Sequence, residues 1–209
     1  MTQAADRQVP AEHFATAEGQ RHAARLGLWV FLASELLLFS GLFALYAGYR
    51  AHAPEVFREA VHSNTKVLGS INTAVLLASS AFVAAAVHAL RGGRRRASTL
   101  FVGLTAMLGV VFLVIKLVEY RKHFAEGIFP GHVAGAHGHA IEYWTLYFVT
   151  TGLHAIHVTI GIVVLVTLAL VVRRDRTEPP IAYRLELGAV YWHLVDVIWI
   201  FLWPLYYLA

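Results

Sequence analysis

The sequence predicts an all-α, polytopic membrane protein, a bundle of five transmembrane helices. Two properties indicate this class: 58% of the 209 residues are hydrophobic and only 14% are charged, and the mean hydropathy is +0.59. A soluble domain carries about 25% charged residues, so a soluble enzyme, a disordered chain and a protein that binds nucleic acid fit poorly. The chain has no cysteine, which excludes disulfides, thiolate metal sites and cysteine catalysis.

Five apolar stretches are long enough to cross a bilayer, whose hydrocarbon core of ~30 Å requires about 20 apolar residues of helix. The predicted spans are approximately 26–49, 67–90, 97–117, 143–172 and 185–208. Their apolar runs are continuous, unlike the ~10-residue alternating segments of a membrane β-barrel, so each is predicted as a helix. The spans define one transmembrane domain over 26–209. The polar tail at 1–25 lacks the apolar centre of a signal peptide.

The distribution of basic residues predicts the orientation of the chain. Eleven Lys or Arg residues fall in the N-terminal tail and in the loops that follow spans two and four, and five fall in the loops on the opposite side. Because loops rich in Lys and Arg stay in the cytoplasm, the N-terminus is expected in the cytoplasm and the C-terminus outside.

Ionisable side chains inside a span are candidates for function, because their burial in lipid is costly. Glu35 lies near the middle of span one, where it could carry a proton or order a lipid head group or water. The alternative is a carboxyl group hydrogen-bonded to another helix. Lys116 and Glu119 are three residues apart near the outer end of span three, so they share a helix face and can pair, with Lys116 expected to extend toward the membrane surface. Contact with a partner subunit or a phospholipid is the other interpretation.

Two pairs of polar residues stand out in the last two spans. His154 and His157 lie on one side of span four, so they cannot be the two opposite axial ligands of a haem. Hydrogen bonding between helices or to lipid is favoured over haem or copper ligation. His193 and Asp196 have the same spacing, and a carboxylate beside an imidazole fixes the tautomer or charge of the ring. We interpret this pair as a buried hydrogen bond, since no activated nucleophile accompanies it.

The remaining polar residues are weaker indications of a functional site. Asn72 lies in span two beside Gly69 and Thr73, which form a small-residue pair typical of helix packing. A surface metal site is a minor hypothesis for the loop between spans three and four, where glycines predict flexibility. The histidines of that loop are His123, His132, His137 and His139. No catalytic motif and no metal site are predicted.

Five motifs in order resemble subunit III of the haem-copper oxidases (cytochrome c oxidase subunit III), in its short five-helix bacterial form. The ending Tyr191-Trp-His193-Leu-Val-Asp196-Val-Ile-Trp199 is similar to the family signature Trp-His-Phe-Val-Asp-Val-Val-Trp. The segment Gly152-Leu-His154-Ala-Ile-His157-Val resembles the family motif Gly-x-His-Gly-x-His-Val. The other similar segments are Phe31-Leu-Ala-Ser-Glu35, Asn72-Thr-Ala-Val-Leu-Leu-Ala-Ser-Ser80 and Lys116-Leu-Val-Glu119-Tyr120.

The resemblance implies a non-catalytic core subunit of a proton-pumping terminal oxidase in the bacterial cytoplasmic (inner) membrane. Such a subunit binds subunit I directly, within a complex that also holds subunits II and IV. The haems and copper are expected in the partner subunits, and bound phospholipid is expected on this chain. In this family, subunit III supports proton uptake into subunit I and protects the oxidase from inactivation during turnover.

The same resemblance assigns candidate roles to the residues of these motifs. Glu35, His154 and His157 become candidates for lipid binding or proton supply. The candidates for contacts between helices or between subunits are Asn72, Lys116, Glu119, Trp192, His193 and Asp196.

Three other functions stay open on the sequence alone. The related accessory protein of nitric oxide reductase shares much of the pattern. A haem-b membrane anchor would hold haem in the isolated chain. A proton-coupled transporter would use Glu35 and Asp196, although the spans lack the broken helices typical of transporters. The electron donor of the expected oxidase, cytochrome c or a quinol, is also left open.

Overall fold

A computed structural model describes Phe14 and residues 16–135, 138–174 and 180–208. This part of the chain forms six helices and one two-stranded hairpin. The helices are α1 (Ala17–His52), α2 (Pro54–Ser63), α3 (Lys66–Arg91), α4 (Arg95–Ala125), α5 (His139–Arg174) and α6 (Pro180–Tyr207). The strands β1 (Ile128–Phe129) and β2 (His132–Val133) pair in an antiparallel hairpin between α4 and α5.

Five of these helices are long and apolar enough to cross a membrane, namely α1, α3, α4, α5 and α6. The predicted five-span, all-α architecture is therefore confirmed, and the orientation of its termini stays a prediction. Both α1 and α5 are longer than predicted, with 36 residues each. At 1.5 Å per residue, such a helix is about 54 Å long and extends well beyond a ~30 Å core. Residues 17–25, predicted as tail, are the first part of α1.

Two elements were not predicted. The short helix α2 begins with Pro54 and buries Phe57, Ala60 and Val61 on one face. Its ten residues are too few for a membrane span, so a search for long apolar stretches misses it. The histidine-rich loop, expected to be flexible, contains the β1–β2 hairpin, whose turn holds Gly131 at a φ of 77°.

The four helices α3 to α6 form the centre of the bundle, and α1 packs on its side. Within the described residues, α1 contacts α2, α5 and α6 but neither α3 nor α4. Its buried residues are Leu32, Phe39 and Tyr46, which recur every seven positions and therefore form one narrow stripe.

The indole of Trp192 fills the space where α4, α5 and α6 meet. A Cβ atom at Gly109 would lie 2.7 Å from the Trp192 ring, and one at Gly161 would lie 2.8 Å from it. Only glycine permits this approach at the two positions. The ring also donates a hydrogen bond of 3.0 Å from Nε1 to Ser79 Oγ on α3. Trp192 therefore links all four central helices.

Candidate functional site

Glu35 on α1 and His157 on α5 form a hydrogen-bonded pair in the interior of the bundle. The distance from Glu35 Oε2 to His157 Nε2 is 2.7 Å, and the two side chains are 14% and 9% exposed. The ring of Phe39 packs edge-on against His157, and Tyr191 donates a hydrogen bond to the His157 carbonyl. The pair is thus shielded by aromatic rings and still accessible at its edge.

The second nitrogen of His157 fixes the protonation pattern of this pair. His157 Nδ1 lies 2.8 Å from the Leu153 carbonyl oxygen, which can only accept, so Nδ1 carries a proton. The contact between Nε2 and the Glu35 carboxyl group then holds one further proton, on the oxygen or on the nitrogen. Both ring nitrogens are used within the chain.

His154 lies one helical turn before His157 and is fully enclosed. Neither of its ring nitrogens has a hydrogen-bond partner among the described residues. Its ring is surrounded by the aromatic rings of Phe39, Phe112 and Trp199. His154 and His157 therefore have different environments, although they share a helix face.

Lys116 and Glu119 form an ion pair, as their spacing allows, but the expectation that Lys116 extends to the membrane surface is wrong, because its ammonium group is held inside the bundle by Glu119, Tyr147 and Tyr207. The distance from Nζ to Oε2 is 3.1 Å, and the side chains are 4% and 1% exposed. Lys116 Nζ also donates hydrogen bonds of 2.9 Å to the hydroxyls of Tyr147 and Tyr207. Both hydroxyls in turn donate to Glu119 Oε1, at 2.8 Å and 2.6 Å.

This four-residue network connects three helices, because Tyr147 lies on α5 and Tyr207 on α6. The ammonium group also lies within 5.5 Å of the ring centres of Tyr120, Tyr147 and Trp199. Aromatic faces stabilise a buried cation, and hydroxyl donors compensate a buried carboxylate. The motif Lys116 to Tyr120 therefore holds α4, α5 and α6 together.

The predicted hydrogen bond between His193 and Asp196 is not formed. His193 Nδ1 instead lies 2.6 Å from Ser80 Oγ on α3, and neither Asp196 oxygen has a partner among the described residues. The spacing of three residues permits a contact, as it does for Lys116 and Glu119, but the contact of His193 Nδ1 with Ser80 replaces it. His193 points to α3, and Asp196, which is 3% exposed, also lies near Ser80.

Asn72 is fully buried on α3, and both atoms of its amide group lack partners among the described residues. The neighbouring small residues do serve helix packing. Thr73 accepts a hydrogen bond from Trp199 Nε1, and a Cβ atom at Gly69 would lie 2.7 Å from the Tyr207 ring.

The structure separates the histidines between α4 and α5. His123 is buried, its ring packs against Trp144 at a tilt of 55°, and its Nδ1 lies 3.6 Å from Glu126 Oε2. His132 is exposed on β2, His139 Nδ1 lies 2.6 Å from Glu142 Oε2, and His137 falls outside the described residues. No group of three His, Asp or Glu side chains within the described ranges could hold a metal ion.

Sequence reasoning missed the partners of the candidate residues rather than the residues themselves. Tyr147, Tyr207 and Ser80 all contact a candidate directly. A further unpredicted contact joins α2 to the bundle, since Asn64 Nδ2 donates to the Tyr143 hydroxyl and to the Tyr206 carbonyl. The tyrosines near the helix ends could have indicated these contacts, because a buried tyrosine hydroxyl requires a hydrogen-bond partner.

Comparison with known proteins places these residues in a family context. Residues 11–209 match the family described as cytochrome c oxidase subunit III. The chain is 31% identical over 184 residues to a quinol oxidase subunit 3 of Bacillus spizizenii, covering 88% of this chain and 85% of the relative. It is 28% identical over 193 residues to a probable quinol oxidase subunit 3 of Staphylococcus aureus, covering 92% and 91%.

Proposed function

This chain belongs to the cytochrome c oxidase subunit III family, and we propose that it is the non-catalytic core subunit III of a proton-pumping haem-copper terminal oxidase. It is a multi-pass protein of the bacterial cytoplasmic membrane. In this proposal the chain stabilises subunit I, binds phospholipid and supports proton uptake. The observation that carries the proposal is the family match over residues 11–209, which covers all five apolar helices.

The proposed proton role rests on the Glu35–His157 pair. A carboxyl group and an imidazole that share one proton in a low-dielectric setting can accept or release it with little rearrangement. The pair is also 14% and 9% exposed at its edge, so water or a lipid head group can reach it. We assign proton supply or lipid contact to these two residues.

The proposed absence of haem on this chain rests on how its motif histidines are used. His157 has a partner at each ring nitrogen, and His193 Nδ1 is in contact with Ser80. His154 is enclosed by aromatic rings. These contacts favour structural roles, with the haems and copper in subunit I and its partners.

We assign the electron donor as a quinol. The support is that the relatives reported above are named quinol oxidase subunit 3. The assignment is tested by oxygen consumption of the purified complex, with a reduced quinol in one assay and reduced cytochrome c in the other. Faster turnover with cytochrome c would contradict it.

The central experiment is a reduced-minus-oxidised absorbance spectrum of the tagged chain after purification in mild detergent. The complex is measured first, and the chain is measured again after its partners are stripped away. Haem bands are expected in the complex and not in the isolated chain. The copurified subunits are identified by mass spectrometry, and nitric oxide reductase subunits in place of oxidase subunit I would overturn the proposal.

Two single variants distinguish the proposed accessory subunit from a haem-b anchor. His154→Ala and His157→Ala, made separately, are expected to leave the haem bands of the complex unchanged in position. Haem that stays with the isolated wild-type chain and is lost from either variant would identify a haem-b anchor instead.

A further inference from the structure

An apolar groove lies at the end of the bundle where α1 ends and α5 begins. Its volume is about 530 Å³, and small-molecule sites typically measure about 300–1,000 Å³. On α1 its described wall runs from Gly41 to His52, and on α5 it includes His139. None of these lining residues belongs to a segment that resembles the family motifs, so the groove is separate from the sites described above.

The groove is open to the surrounding bilayer along its length. From Gly41 to His52, α1 rises by about 16 Å at 1.5 Å per residue. A Cβ atom at Gly41 or at Gly48 would meet no atom within 4 Å, so the wall leaves free space at both positions. Leu45 and Tyr49 are 51% and 37% exposed along it. A molecule dissolved in the membrane can therefore enter the groove from the side.

Two histidine side chains form the polar end of the groove. His52 Nδ1 lies 2.8 Å from the Gly48 carbonyl oxygen, and His139 Nδ1 lies 2.6 Å from Glu142 Oε2. A carbonyl and a carboxylate only accept, so each Nδ1 carries a proton and Nε2 of each neutral ring is an acceptor. Neither Nε2 has a partner among the described residues. The groove thus presents two unused acceptor nitrogens.

This composition favours a ligand with an apolar body and a hydroxyl donor. The phosphate group of a phospholipid offers only acceptors, and no Lys or Arg is among the described lining residues to bind it. A quinol has two hydroxyl donors on an aromatic ring and carries an apolar tail. Its ring matches the aromatic side chain of Tyr49. The oxidised quinone has carbonyl oxygens in place of the hydroxyls, so it fits the two acceptor nitrogens less well.

We propose that this groove binds a quinol, with one hydroxyl at His52 and His139 and its apolar tail along Gly41 and Gly48. This assignment rests on the proposed quinol donor and adds to it a binding site on this chain. The groove holds the donor in its reduced form, and the oxidation of the donor takes place in the haem-bearing subunits.

Glycines in a membrane helix also permit close packing of a second helix. Such packing explains why Gly41 and Gly48 face an open groove, but it does not explain two acceptor nitrogens at the polar end. A helix of a partner subunit in the groove is therefore the competing occupant, and the experiment distinguishes it from a quinol.

The test is native mass spectrometry of the complex purified through the tagged chain, kept fully reduced under anaerobic conditions and titrated with ubiquinol-1. The double variant H52L/H139L is compared with H62L/H132L, whose histidines are exposed and do not line the groove. One lost hydrogen bond corresponds to about fivefold in affinity, so H52L/H139L is expected to bind the groove quinol roughly 25-fold more weakly. The control variant is expected to bind like the wild type.

A second variant tests the apolar part of the groove. Gly48→Leu fills the groove without a clash, and Gly27→Leu is its control on the same helix, since a Cβ atom at Gly27 also meets no atom within 4 Å. Gly48→Leu alone is expected to abolish binding of the groove quinol. Ubiquinone-1, titrated into the oxidised wild-type complex, is expected to bind the groove more weakly than ubiquinol-1.

Equal binding of ubiquinol-1 by H52L/H139L and the wild type would overturn the proposal, and so would a partner helix crosslinked into the groove. The assay of oxygen consumption tests the electron donor independently. Faster turnover with cytochrome c, together with a quinol in the groove, would contradict the proposed donor and support the site. Faster turnover with a quinol, without loss of binding in H52L/H139L, would contradict the site and support the donor.

Discussion

Glu35 and His157 are 122 positions apart in the sequence and meet through a 2.7 Å hydrogen bond between α1 and α5. The geometry leaves a single proton between the carboxyl group and the ring, because Nδ1 of His157 already donates to the Leu153 carbonyl. This contact joins two of the motifs that characterise the chain, and it is the first relationship to test.

The variant Glu35→Gln is expected to assemble normally and to weaken sustained turnover of the oxidase. A glutamine amide can donate to His157 Nε2 and preserve the contact, but it cannot ionise or transfer a proton. The measurement is the number of turnovers before inactivation, with Glu18→Gln, an exposed carboxylate on the same helix, as the control. Normal lifetime in Glu35→Gln would remove Glu35 from proton supply.

Breaking the Lys116–Glu119 pair on one side is expected to destabilise the bundle strongly. Lys116→Met leaves the Glu119 carboxylate buried without its cation, and the loss of one partner of a buried pair costs about 3–5 kcal/mol. The double variant Lys116→Met/Glu119→Leu is expected to be more stable than Lys116→Met, because no unpaired charge remains. Unfolding in detergent, followed by circular dichroism, measures both effects.

The exposed pair of Lys122 and Glu126, at 4.0 Å, provides the control for this experiment. Lys122→Met removes the same type of charge from the same helix but from a solvated pair, and it is expected to leave stability nearly unchanged. Similar losses in Lys116→Met and Lys122→Met would indicate that burial of the first pair is unimportant.

Adding a methyl group beside Trp192 is expected to destabilise the protein. Gly109→Ala and Gly161→Ala each force the ring or the helices to shift, and overpacking of this kind costs about 1–3 kcal/mol. Gly103→Ala on α4 has free space around its Cβ position, so it serves as the matched control and is expected to be neutral or slightly stabilising. Thermal unfolding in detergent compares the three variants.

His193 and Ser80 are expected to stabilise the protein through one shared contact, so the losses of stability in their variants are coupled. His193→Ala removes the contact with Ser80 and is expected to cost about 1 kcal/mol and to loosen association with subunit I. Ser80→Ala should cost a similar amount, and the double variant should cost less than the sum of the two. Fully additive losses would show that the 2.6 Å contact contributes nothing to stability.

Composition and local spacing were enough to predict the five helices and the pairing of Lys116 with Glu119, because both depend on a single stretch of chain. The partners Tyr147 and Tyr207 lie 31 and 91 positions from Lys116. Which tyrosines reach the ammonium group depends on how each helix is rotated in the bundle, and that rotation is set by packing.

The wrong prediction of a hydrogen bond between His193 and Asp196 has the same cause. Their spacing places them on one side of α6, but the competing partner Ser80 belongs to α3 and cannot be found from the local sequence. The short helix α2 could have been found, since Pro54 at its start and the spacing of Phe57, Ala60 and Val61 are helical signals.

The attachment of α1 has a consequence for biogenesis. Within the described residues, α1 contacts the bundle only through α2, α5 and α6, so α1 is synthesised before the two long helices that it packs against. At about 5–20 residues per second, the 122 positions between Glu35 and His157 take roughly 6–25 s to synthesise. During that interval the acidic side chain of a nascent helix has no imidazole partner in the membrane, and the insertion machinery or lipid head groups must accommodate it.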